Sequence, residues 1–138
     1  MTLKLLSDKS RGIEVKSPSD YIHLSRKGLS VKQLSQILKF TGISTKEITG
    51  IISVSDRQLA RYTDETILKR NISAHLIQIV ELYKFGYEVF EDKAKFIAWM
   101  NSKIRALNYQ SPIELLDTPF GIENVRTILG RIEHGVYS

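Results

Sequence analysis

The sequence predicts an all-α protein, and three observations lead there. Four serines are each followed three residues later by Gln or Glu: Ser30 with Gln33, Ser44 with Glu47, Ser55 with Gln58 and Ser111 with Glu114. This spacing is that of the capping box, in which two side chains satisfy free backbone N–H groups at a helix start. Behind the boxes, apolar residues recur at steps of three and four, the period of a helix with one buried face. Between the third and fourth boxes, the stretch from Ser73 to Val89 is apolar almost all round, as expected of a helix buried on most sides.

Taken in order, residues 1–19 show no sustained period and break at Ser17-Pro18-Ser19. They are expected to form an arm carrying Lys4, Lys9, Arg11 and Lys16. A short helix from Asp20 to Lys27 is expected next, ended by Gly28. Ser30 opens a helix with Val31, Leu34, Ile37 and Leu38 on its apolar face and Gly42 as its stop. Ser44 opens another with Ile48, Ile51 and Ile52 inward. Ser55 opens a third with Leu59 and Tyr62 inward. Asp64 to Ile72 forms a link. Ser73 is expected to cap the longest helix, running to about Val89, where Gly86 either permits a close contact or only weakens the helix. A helix from Asp92 to Met100 brings Phe96, Ile97 and Trp99, with Trp99 expected in the core. Finally Ser111, with Pro112 at the first helical position, starts a short helix bearing Leu115 and Leu116. Pro119 and Gly121 are expected to mark a turn. The last helix follows, with Ile122, Val125, Leu129 and Ile132 inward and Gly135 as its stop.

From Thr45 the spacing matches a helix-turn-helix. Thr49 is the small residue where the helices cross, Ser53 takes the turn position often held by Gly, and Val54 plugs the core. The start of the following helix, Ser55-Asp56-Arg57-Gln58, would then meet base edges in a major groove. Arg57 and Gln58 are suited to bidentate contacts with guanine and adenine, and Arg61 lies one turn beyond Arg57. Ser55, Arg57, Gln58 and Arg61 are the candidate DNA-binding residues. Charge points the same way. Residues 1–72 hold 13 Lys and Arg against 7 Asp and Glu, a net +6, whereas the remainder holds 7 against 8, a net −1. A basic half suits a polyanion; a near-neutral half suits a different partner. The expected division is an arm at 1–19, a helix-turn-helix domain at 20–72 and a second helical domain at 73–138.

Nothing in the sequence points to a reaction centre. His23, His75 and His134 lack metal-ligand spacing. There is no phosphate-binding loop or dinucleotide fingerprint. Cysteine is absent, which excludes disulfides and fits a reducing cytoplasm. No run is long and apolar enough to cross a membrane, and no secretory signal pattern is present. Neither an enzyme nor a cofactor-binding protein is expected.

The residues after the long helix resemble a known family. Trp99, the pair Ala106-Leu107, the run Pro112 to Thr118, Gly121 and the run Leu129 to Gly135 stand in the order and spacing of the C-terminal toxin-binding domain of Xre/MbcA/ParS-type antitoxins. Asn108 stands where many members have Gly, a mild departure because Asn tolerates left-handed backbone. Gly28-Leu29-Ser30 and the Arg-containing third capped helix are similar to the Xre-like helix-turn-helix that often precedes this domain. The resemblance implies an antitoxin of a type II toxin–antitoxin pair that sterically inhibits an NAD-consuming toxin of the RES class and represses its own operon at operator DNA. Toxin contacts would come from Glu123, Arg126, Arg131 and His134 on the exposed edge of the last helix, and from Val136 and Tyr137 in the tail. The chain is expected to be a homodimer, since such proteins usually read two half-sites. Two other readings stay open: a dimeric transcription regulator without a toxin partner, and an interaction module that does not bind DNA.

Overall fold

A computed structural model of the chain describes residues 18–135, whose regular elements are all helices, with no strand among them. The helices are α1 (Pro18–Lys27), α2 (Val31–Thr41), α3 (Thr45–Ile52), α4 (Asp56–Arg61), α5 (Arg70–Phe90), α6 (Lys93–Met100) and α7 (Pro119–Glu133). Two 3-10 turns, Arg105–Leu107 and Pro112–Leu115, lie between α6 and α7. The chain divides into two compact units, and the division falls inside α5, between Gln78 and Ile79.

In the first unit the three expected capping boxes are present. The Ser30, Ser44 and Ser55 hydroxyls each accept the N–H three residues on at 3.1 Å. Gly28 and Gly42, both with positive φ, end α1 and α2 as expected. Leu34, Ile37, Ile48, Ile51 and Ile52 are buried, joined by Phe40, whereas Val31 and Leu38 are half-buried. The link opens on a turn closed by Thr66 N–H to Thr63 O at 3.0 Å, ends at Lys69, and lies beside the start of α2. Val31 N–H donates to Thr66 O, Lys32 N–H to Asp64 O and Leu68 N–H to Leu29 O, at 2.8–3.0 Å.

Ser73 departs from expectation. The helix begins three residues earlier, at Arg70, so Ser73 lies inside α5 and caps nothing. It is fully buried, and its hydroxyl accepts the Leu29 N–H at 2.9 Å and donates to Leu68 O at 3.3 Å. One side chain thus ties the start of α2, the link and α5 together. Gly28 is confined beside the same segment, because a β-carbon there would lie 2.6 Å from Ile67 Cγ2 and 2.8 Å from Leu68 O.

The second unit is built on aromatic rings. Phe96 is fully buried, with ring centroids of Tyr83, Tyr87, Phe90 and Trp99 at 5.2, 5.4, 5.6 and 6.0 Å. Trp99 is half-buried and packs on a cluster of Ile104, Leu107 and Ile128, together with Leu115 and Ile132. The region of Pro119 and Gly121 corrects a second expectation. The turn lies earlier, and both residues belong to α7, Pro119 in its first turn and Gly121 donating its N–H to the capping hydroxyl of Thr118 at 3.0 Å. The cause is Pro119, which forces Thr118 into extended backbone (φ −129°, ψ 153°). The helix expected before it is therefore a short 3-10 turn, with Glu114 accepting the Ser111 N–H at 2.7 Å. α7 buries Ile122, Val125, Ile128 and Leu129, and Gly135 (φ +68°) follows it as its stop.

Candidate functional site

Two surfaces carry the residues singled out in the sequence. The first is built by α3, a short turn and α4. Ser53 closes α3 in the left-handed conformation (φ 57°, ψ 42°), the backbone for which glycine is the usual choice. Val54 follows it and is buried. Ser55 then caps α4, a helix of six residues with no fully buried side chain; Leu59 and Tyr62, expected inward, are half-buried.

Arg57 and Arg61 are exposed one turn apart, on the same side of α4. Ser55 and Gln58 are engaged with each other: Gln58 Oε1 accepts the Ser55 N–H at 3.0 Å while Ser55 Oγ accepts the Gln58 N–H at 3.1 Å. A bidentate contact with adenine needs both the amide oxygen and the amide nitrogen. While the box is closed, Gln58 has only its NH₂ group to offer, and the two arginines are the side chains free of the cap.

The second surface is α7. At about 100° per residue, Phe120, Glu123, Thr127 and Arg131 fall on the side opposite the buried Ile122, Val125 and Leu129. Glu123 and Arg126 are brought together, Arg126 Nε lying 3.6 Å from Glu123 Oε2. His134 and Glu133 also approach, at 3.8 Å between Nε2 and Oε1. Neighbours in a helix would not face each other, but His134 already lies beyond the last helical residue, where that geometry lapses. Both pairs are on the surface and add little to stability. Arg131 is exposed. Val136 and Tyr137 lie outside the described residues.

Two exposed aromatic side chains were missed in the sequence. Phe120 is 88% exposed and Tyr109 64% exposed. Phe120 was legible: it stands two residues before Ile122, which turns it to the outer side of the helix. Tyr109 was not. Asn108 and Tyr109 both have positive φ, 54° and 64°, in a loop closed by five backbone hydrogen bonds, among them Leu107 N–H to Ile104 O at 3.0 Å. Tyr109 N–H donates to Ile104 O at 2.9 Å, and Ile104 N–H to Gln110 O at 3.0 Å. Asn108 N–H donates to Arg105 O and Gln110 N–H to Leu107 O, both at 3.1 Å. A left-handed backbone costs a residue with a β-carbon about 1–2 kcal/mol, less for Asn than for Tyr.

Among the described residues no group of His, Asp or Glu is placed to hold a metal ion, and no helix is long and apolar enough to cross a membrane.

Residues 86–135 match the family model of the antitoxin Xre/MbcA/ParS C-terminal toxin-binding domain. That span contains the 3-10 turns, α6, α7, Tyr109 and Phe120. The chain is 32% identical over 113 residues to an antitoxin Xre of Yersinia enterocolitica, covering 80% of this chain and 76% of that relative. It is 29% identical over 113 residues, with the same coverage, to an antitoxin Xre of Photorhabdus laumondii. The all-helical architecture, the pattern from Trp99 to Gly135 and the identity along most of both chains agree: the chain belongs to the Xre antitoxin family.

Proposed function

We propose that this protein is the antitoxin of a type II toxin–antitoxin pair, that it inhibits an NAD-consuming toxin of the RES class by covering the mouth of its active site, and that it represses its own operon as a dimer bound to operator DNA. The observation that carries this reading is the match of residues 86–135 to a toxin-binding domain. The outer side of α7, with Glu123 and Arg131 exposed and Arg126 half-buried at its edge, then His134 and the tail with Val136 and Tyr137, is the surface assigned to the toxin. Arg131 is the charged residue best suited to anchor it, because a guanidinium pairs with a carboxylate or stacks on an aromatic ring. The α3–turn–α4 segment is assigned to DNA as a helix-turn-helix, with Arg57 and Arg61 toward the major groove.

A second reading, an interaction module that leaves DNA alone, draws on one observation: the carbonyl of Gln58 is occupied by the Ser55 cap. Two measurements separate the readings. In the first, the chain is co-expressed with the product of the adjoining reading frame, as a full chain and truncated after Glu133. Growth rescued by the full chain but not by the truncated one supports inhibition through the tail. Equal rescue removes the tail from the mechanism, and no rescue removes the antitoxin reading. In the second, retardation of the chain's own promoter fragment that weakens steeply with salt supports the operator role. Absence of any shift leaves the interaction module.

A further inference from the structure

We propose that Tyr109 and Phe120 are the apolar anchors of the toxin contact, each ring entering an apolar recess on the toxin; this rests on the toxin-binding reading above. A lone exposed apolar side chain needs no explanation in a soluble protein. Tyr109 differs because the chain holds it out at a cost. Its backbone is left-handed, where a β-carbon is strained, and the residue is 64% exposed, so little packing within the chain offsets the strain. Glycine or asparagine would fit the same turn with less strain. Five backbone hydrogen bonds nonetheless keep residues 104–110 closed, and the residue stays exposed. Strain retained with no return inside the chain is the mark of a residue used outside it.

Phe120 supplies the second ring. It is 88% exposed at the start of α7, on the same side of that helix as Glu123, Thr127 and Arg131. Asp117, Thr118 and Glu123, all exposed, give it a polar border. An aromatic centre with a polar rim is the composition of a protein–protein hot spot. Both rings lie in the span matched to a toxin-binding domain, and they are the two large apolar side chains exposed among its described residues. The partner is thus a folded protein surface with apolar recesses, and the rigid turn means that Tyr109 is already oriented before binding.

The test uses the full chain and the purified product of the adjoining reading frame as the probe, with binding measured by titration calorimetry and folding by thermal melting. Tyr109→Asn and Phe120→Ser are each expected to weaken binding about tenfold or more. Ile22→Ser, which removes another exposed apolar side chain (52% exposed) from the other unit, is expected to leave binding unchanged. Tyr109→Asn is also expected to melt at or above the wild-type temperature, because Asn relieves the left-handed strain. Binding within about twofold of wild type by either variant overturns the proposal for that ring. Weaker binding accompanied by a lower melting temperature overturns it too, since the residue would then be structural. A wild-type chain that fails to bind the probe overturns the toxin reading itself rather than the choice of anchors.

Discussion

Gly86 of α5 lies directly against the ring of Phe96 in α6, so close that a β-carbon on Gly86 would overlap the ring's outer carbons. The ring is itself enclosed by Tyr83, Tyr87, Phe90 and Trp99. It has little room to give way. Gly86→Ala is therefore expected to destabilise the second unit by about 1–3 kcal/mol, despite the better helix propensity of alanine. Urea unfolding followed by Trp99 fluorescence checks this, and an unchanged or raised midpoint would contradict the packing described.

Gly130 presents the opposite case. It lies in the last turn of α7, and a β-carbon there would meet nothing within 4 Å. Gly130→Ala is expected to raise stability, by at most about 0.5–1 kcal/mol, the helix-interior propensity difference. Measured side by side, the two substitutions should shift the melting temperature in opposite directions.

For DNA, Arg57→Ala is expected to cost about 1–3 kcal/mol on the specific operator if the guanidinium contacts a base edge. Its exposure means that the fold should survive. Gln58→Ala is expected to loosen the start of α4, because the lost oxygen is the one that accepts the Ser55 N–H. Operator affinity unchanged in both Arg57→Ala and Arg61→Ala would remove α4 from the role of recognition helix.

Burial pushes the Tyr87 hydroxyl well above its ordinary pKa of 10. The folded state therefore holds this proton at pH values where the unfolded chain has released it. The resulting stability is fully present below about pH 10 and declines as the pH rises beyond it. Melting curves should show this decline. Tyr87→Phe, which has no proton to lose at this site, should show a shallower one.

The legible features were those whose partners lie close along the chain. Ser30, Ser44 and Ser55 form their boxes with residues three positions on, and each was readable from spacing alone. Gly42 and Gly135 were readable as stops for the same reason. So was the family pattern from Trp99 to Gly135, because it consists of residue types in fixed order. The outer side of α7 followed from helical period, which places Glu123 and Arg131 away from Val125 and Leu129. Even so, periodicity missed Ile128, which the fold buries beside Ile104 and Leu107.

What the tertiary structure alone decided involves partners that spacing cannot name. Ser73 looked like one more cap, yet its hydroxyl bonds to the Leu29 N–H, 44 residues away, and the helix start moved to Arg70. Gly86 was ambiguous until Phe96 was placed against it. Tyr109 acquired its strain from a loop whose ends, Ile104 and Gln110, are bridged to each other. The division has a physical cause. Helix starts, stops and faces follow from hydrogen bonds and periods that close within one or two turns, so sequence order contains them. A buried hydroxyl, a missing β-carbon or a strained turn is satisfied by whatever the folded chain brings beside it, and that neighbour is set by three-dimensional packing.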